Sequence, residues 1–216
     1  VVDCGATLAT MERSLDLSTR YEGFVHSTLG LHPSSPFDPA VFEYIEKSID
    51  KIVALGETGL DYHYARSDGE RRAQLETFGK FVELAREYDL PLVIHSREAE
   101  GAVLEYLLER GVERAVFHCF SGPLEVAVRA VGAGYKISLA TNICYSESHR
   151  LLVEEIGLEH LLLETDAPYL SPLRECRRNE PAFLVHSVAK VAEAKGVAKE
   201  EIARAVGRNA RSFFGL

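Results

Sequence analysis

Seven short, apolar, β-rich runs alternate with longer stretches of helical periodicity along the chain. They fall at residues 1–2 (VV), 24–31 (FVHSTLGL), 52–56 (IVALG), 91–95 (PLVIH), 115–118 (AVFH), 135–139 (YKISL) and 161–165 (LLLET). The central runs are continuous rather than alternating in polarity. That pattern fits parallel strands covered by helices on one face and packed on the other. Between the strands, Asp38 followed by Pro39 reads as an N-cap with proline in the first turn. Residues 68–88 carry Leu75, Phe78, Val82 and Ala85 on one stripe, opposite Glu70, Arg71, Glu76 and Lys80. Helical patterns at 98–110 and 125–133 stop at Gly111 and Gly134, as C-terminal caps do. Patterns at 146–156, 182–195 and 199–213 complete the series.

Repeated strand–helix units admit two α/β architectures, a doubly wound open sheet or a (β/α)8 TIM barrel. No G-x-G-x-x-G follows the first strand, so the dinucleotide-binding fingerprint of the open sheet is absent. Polar residues gather instead at the carboxyl ends of successive strands, where barrels build their active sites. The chain has 216 residues, which predicts a single domain over 1–216. A barrel of this kind usually takes ~250 residues, with ~200 as a lower limit. Val1-Val2-Asp3-Cys4-Gly5 reads as a strand end running into a turn, and there is no initial Met. The expectation is therefore a barrel chain that is N-terminally incomplete, lacking the first β-strand and helix.

Composition narrows the function classes. The net charge of −9 argues against a broad basic face for nucleic acid. It is compatible with a phosphate substrate met in a small pocket where metal ions neutralise the charge. The four cysteines (Cys4, Cys119, Cys144, Cys176) are widely spaced with no C-x-x-C, which argues against a structural zinc site or a disulfide framework. No apolar run reaches the ~18 residues needed to span a bilayer, and no signal peptide opens the chain. These features predict a cytoplasmic protein with no membrane association.

The strand ends carry the chemistry. Glu57 follows the third run, His95 closes the fourth, His118 closes the fifth, and Asp166 follows the seventh. Converging imidazole and carboxylate groups suit zinc, manganese or iron, whereas carboxylates alone would suit magnesium better. Glu57 stands between Gly56 and Gly59, a setting that a surface glutamate would not need, and its two oxygens could bridge two ions. Asp166 reads as a ligand or as an N-cap. Arg97, two residues after His95, reads as a phosphate or carboxylate clamp or as a surface partner of Glu98 or Glu100. His32 reads as a substrate-binding or proton-transfer residue or as a cap. Asp61 and Tyr62 either orient Glu57 or form a turn. Arg174, Arg177 and Arg178 either guide a nucleic-acid backbone or decorate a solvated loop. His26, His63, His149, His160 and His186 read as structural or surface residues, and no activating base pairs with Cys119.

Together these motifs resemble the TatD family of metal-dependent deoxyribonucleases. The matching blocks are Gly30-Leu31-His32-Pro33, Gly56-Glu57-Thr58-Gly59-Leu60-Asp61-Tyr62 and Leu90-Pro91-Leu92-Val93-Ile94-His95-Ser96-Arg97. Phe117-His118-Cys119-Phe120-Ser121-Gly122, Glu164-Thr165-Asp166-Ala167-Pro168-Tyr169-Leu170 and Arg178-Asn179-Glu180-Pro181 follow in order. Asn209-Ala210 and Phe213-Phe214-Gly215 look like the family's end. The resemblance implies an amidohydrolase-type barrel with one or two divalent ions (Zn, Mn or Mg). It implies hydrolysis of DNA phosphodiesters, commonly as a 3′-to-5′ exonuclease and in some relatives on RNA. Glu57, His95, His118 and Asp166 would be metal ligands, with Glu57 shared and Asp166 also taking a proton from the attacking water. His32 and Arg97 would contact substrate. The chain departs from the family in lacking the His-x-His that many members carry on the first strand, and Thr58 replaces a commoner aliphatic residue. Two other readings follow from the same residues. One is a related ester or amide hydrolase, such as an aminoacyl-tRNA deacylase. The other is an inactive binding module if the first strand is truly absent.

Overall fold

The structure is a computed structural model, and it describes residues 1–173 and 175–216. Arg174 of the arginine group lies outside the described residues; Arg177 and Arg178 are exposed. Strands and helices alternate as the sequence predicts. They are β1 (Val2–Gly5), α1 (Leu8–Arg20), β2 (His26–Leu29), α2 (Pro39–Glu46), β3 (Ile52–Asp61), α3 (Asp68–Glu87), β4 (Leu92–Arg97) and α4 (Glu100–Glu109). Then come β5 (Ala115–Phe117), α5 (Leu124–Gly132), β6 (Lys136–Leu139), α6 (Glu147–Glu155), β7 (Leu161–Leu163), α7 (Leu184–Lys195) and α8 (Lys199–Phe214). The seven strands are ordered β1 to β7 in the sheet, each beside its neighbour in sequence. The pairs β1–β2, β2–β3, β3–β4 and β6–β7 are parallel. This is the α/β order of a barrel-type fold built from repeated strand–helix units.

Contacts divide the chain into two compact units, Val1–Val116 and Phe117–Leu216. The core of the first is apolar, with Leu29, Ala54, Leu55, Leu60, Phe78, Phe81, Leu92 and Ile94 fully buried. The second buries Phe117, Ala127, Tyr135, Ile137, Leu139, Val153, Leu161 and Ile202.

Local chemistry starts the helices where the sequence says it should. Asp38 accepts a hydrogen bond from the Ala40 N–H (2.9 Å), and Pro39 opens α2. Ser67 and Glu70 form a capping box that starts α3. The buried stripe of α3 is Phe78, Phe81, Val82, Leu84 and Ala85, while Leu75 is only half-buried. Periodicity alone places no helix before Asp38, yet α1 is present. Its sequence is weakly apolar, and its buried side chains are Met11 and Ser14. The Ser27 hydroxyl donates to the Ser14 carbonyl (2.8 Å) and accepts from the Ser14 hydroxyl (3.0 Å), so a polar pair replaces the apolar contact that periodicity looks for.

Candidate metal centre

In the first unit, three neighbouring strands deliver the candidate ligands. His32 lies just beyond β2, Glu57 is inside β3, and His95 is on β4. The sequence suggests that β3 stops at Gly56, but it continues to Asp61. Between Leu55 and Thr58 its register against β4 shifts, because three steps on β3 face two on β4. Glu57 sits in that bulge, a device that re-aims a side chain beside an active site. Gly56 and Gly59 have φ of +142° and +143°; a Cβ on Gly56 would lie 2.3 Å from the Val93 carbonyl oxygen, and one on Gly59 2.1 Å from that of His95. Only glycine lets β3 run this close to β4, and this closeness sets Glu57 beside His95.

One nitrogen or oxygen from each of His32, Glu57 and His95 lies within 4.8 Å of the other two. His95 Nδ1 is 2.6 Å from Glu57 Oε1, and His32 Nε2 is 3.8 Å from the same oxygen. All three side chains are half-buried, at 25%, 17% and 15% exposure for His32, Glu57 and His95. Two imidazoles and a carboxylate that converge at low exposure fit a divalent ion such as zinc or manganese. His32 also ties its own turn: its Nδ1 lies 2.7 Å from the Ser34 hydroxyl, and its carbonyl accepts from the Ser35 N–H.

Of the two readings of Asp61, the turn is the one seen: its Oδ1 accepts from the Tyr64 N–H and its carbonyl from the Ala65 N–H. Its Oδ2 lies 2.9 Å from His95 Nε2, a partner that the sequence did not suggest. With 1% exposure it is a buried carboxylate behind a candidate metal-ligand histidine, the arrangement that fixes an imidazole's orientation. Gln74 of α3 was not singled out by the sequence. Its Oε1 accepts from the Asp61 N–H (2.9 Å), and its Nε2 donates to the Pro33 carbonyl (3.0 Å). One amide therefore joins the turn behind His95 to the turn that carries His32. Arg97 is exposed, with its guanidinium 5.7 Å from the Tyr64 ring centre. His63, read as structural or surface, lies 2.7 Å from Glu98, and this hydrogen bond holds the Glu98 carboxyl below the usual carboxylate range.

The second unit assembles another set. His118 follows β5, and its Nδ1 lies 2.8 Å from Glu164 Oε1 while its Nε2 lies 3.7 Å from Asp166 Oδ1. Glu164, which the sequence reading passed over, also accepts a hydrogen bond from the Ser138 hydroxyl (2.5 Å). Asp166 caps no helix; it opens a tight turn with φ of +55°, and its carbonyl accepts from the Tyr169 N–H. Asn179, from the Arg178-Asn179-Glu180-Pro181 block, is 2% exposed. Its Nδ2 donates to the Thr141 hydroxyl (2.7 Å) and the Thr165 carbonyl (2.6 Å), and its own N–H donates to the Pro168 carbonyl (3.0 Å). Asn179 thus grips the backbone on both sides of Asp166.

The chain is similar to known proteins along nearly its whole length. The family profile described as TatD related DNase matches residues 1–215. The chain is 36% identical to a putative deoxyribonuclease TATDN3 of Mus musculus, over 94% of this chain and 74% of that protein. It is 34% identical to a 3′-5′ ssDNA/RNA exonuclease TatD of Pantoea ananatis, over 98% of this chain and 86% of that one. The crystal structure of YjjV, a TatD homolog of Escherichia coli, superposes with a TM-score of 0.91 at 29% identity, covering all of this chain and 86% of that one.

Proposed function

The chain belongs to the family of TatD-related deoxyribonucleases, and on that premise we propose that it is a metal-dependent hydrolase that cleaves DNA phosphodiesters from the 3′ end. The observation that carries the reading is the convergence of His32, Glu57 and His95 at one point in a chain of this family. Glu57 and His95, and likewise His118 and Asp166, are proposed metal ligands, for one or two divalent ions in all.

A bound divalent ion would supply Lewis acidity, polarising a phosphoryl oxygen and lowering the pKa of water. The protein's own groups do the rest. Asp61 takes the N–H of His95 Nε2, which turns the lone pair of Nδ1 toward Glu57. The Asp166 carboxylate accepts the proton of the attacking water. Arg97 offers its guanidinium N–H groups to the non-bridging phosphate oxygens, where negative charge builds in the transition state. His32, whose Nε2 lies farther from Glu57 Oε1 (3.8 Å) than His95 Nδ1 does (2.6 Å), stands at the edge of the cluster and contacts the substrate phosphate rather than serving among the proposed ligands. Among the described residues no helix is long and apolar enough to cross a membrane, and the dispersed cysteines support a reducing, cytoplasmic setting.

Glu57→Ala and Asp166→Ala test the assignment against a labelled single-stranded DNA with Mg²⁺, Mn²⁺ or Zn²⁺. Each variant should lose at least about 100-fold in kcat, the scale of removing one acid–base or charge-stabilising group. Undiminished hydrolysis by either would sink the ligand assignment.

A further inference from the structure

We propose that Tyr64 is a base-binding residue, on whose ring the nucleobase next to the scissile phosphate stacks. The inference rests on the nucleolytic reading and deepens it. Tyr64 sits in the turn that leaves β3. Asp61 Oδ1 accepts from the Tyr64 N–H (3.1 Å), and the Asp61 carbonyl accepts from the Ala65 N–H (3.0 Å). The other oxygen of the same carboxylate faces His95. The backbone that presents Tyr64 is therefore pinned to the candidate metal centre by one side chain.

Tyr64 is 59% exposed. Its surroundings distinguish it from a stray surface aromatic. The His63 ring meets it edge-on at 5.0 Å, and the Arg97 guanidinium lies 5.7 Å from its centre. Tyr64 also lines a cleft of about 360 Å³ together with His32, Ser34, Phe37, Gln74 and Thr77. His32 belongs to both the cleft and the ligand cluster. Of the nearby acids, Glu98 is engaged by His63 (2.7 Å) and Arg66 (3.9 Å), and Glu70, which lines the cleft, is taken up by the Ser67 N–H and hydroxyl (2.8 Å each). In a chain of net charge −9, an exposed aromatic residue beside Arg97 suits a flat ring carried on an anionic backbone. Stacking of this kind accepts any base and needs that base unpaired, so it favours frayed or single-stranded ends with little sequence preference.

Tyr64→Ala, Tyr64→Phe and Tyr64→Trp separate the ring from the hydroxyl. The substrates are a single-stranded oligonucleotide and the same strand made baseless at its last or next-to-last position. With the intact strand, Tyr64→Ala should raise KM about 5- to 150-fold, the range for loss of one base–aromatic stack, with kcat within about twofold by the same reasoning. Tyr64→Phe and Tyr64→Trp should restore KM. One of the baseless strands should show a raised KM in the unaltered protein and no further change in Tyr64→Ala. An unchanged KM in Tyr64→Ala, an equal loss on every strand, or failure of Tyr64→Phe to rescue would overturn the proposal.

Anisotropy titration of a labelled oligothymidylate in EDTA keeps the two readings apart. If the unaltered protein cleaves nothing with Mg²⁺, Mn²⁺ or Zn²⁺ yet binds the strand in EDTA, and Tyr64→Ala weakens that binding, the base surface stands and the nuclease reading falls. If it cleaves the strand and Tyr64→Ala binds equally well, the base surface falls alone. Neither binding nor cleavage would remove both.

Discussion

A carboxylate that is 1% exposed and 2.9 Å from a ring nitrogen does not survive burial by chance. Burying a charge costs several kcal/mol unless a partner answers it, and the Asp61 carboxylate is answered by His95 and by the Tyr64 N–H. Asp61→Asn keeps the shape and one acceptor but removes the charge behind His95. It should weaken Zn²⁺ or Mn²⁺ binding about 10- to 100-fold, the usual cost of losing the group that orients a ligand histidine. Titration calorimetry checks this, and unchanged affinity would show that Asp61 only shapes the turn. The sequence offered Asp61 as an orienting group for Glu57 or as a turn residue; it makes the turn, and its second oxygen meets His95. The true partner follows from strand register: Gly59 pairs with His95 and Asp61 with Arg97. Register is set by contacts between segments more than thirty residues apart, which local spacing does not encode. Glu57, His95, His118 and Asp166 stand out as candidates in the sequence because each closes or follows an apolar run. Glu164 and Gln74 were not: one sits inside such a block beside a more conspicuous aspartate, and the other sits on a helix face among ordinary polar residues.

At the level of the element, β3 explains both a success and an error of sequence reading. Glycine punctuates strands, so Gly56 reads as a terminus. Here the two glycines allow the strand to continue at close range to β4 and to bulge at Glu57. Gly59→Ala tests this directly. The added Cβ would meet the His95 carbonyl oxygen at 2.1 Å, at a φ of +143° that L side chains rarely adopt. The strand must shift, and His95 with it. Loss of about 2 kcal/mol or more of stability is expected from strain at such a backbone position. Urea denaturation should record that loss, together with weakened metal binding. Full stability and full affinity would mean that the close approach of β3 to β4 does not position the centre. The helices that were legible carry caps or a clear apolar stripe. The one that was not, α1, buries a serine hydroxyl pair where periodicity expects a methyl group.

For the whole molecule, strand–helix alternation, seven strands and polar strand ends were readable because covalent order and burial pattern coincide in a parallel sheet. The balance of charge adds a consequence that no single residue carries. The chain holds 33 acidic against 24 basic side chains, and its proposed ligands include two carboxylates. A divalent ion at Glu57 would do more than fill a coordination site; it would relieve repulsion between that carboxylate and Asp61, which share the His95 imidazole. Since the unfolded chain has no assembled site, binding adds to folding stability. At 100 times the dissociation constant the gain is about 2.7 kcal/mol. For a chain of this size that should raise Tm by about 5–10 °C. Adding Mn²⁺ or Zn²⁺ to EDTA-treated protein should produce this rise, and Glu57→Gln should abolish most of it while leaving the metal-free Tm nearly unchanged. A shift of equal size in Glu57→Gln would place the stabilising ion away from Glu57, and the ligand assignment would then have to be rebuilt on other carboxylates.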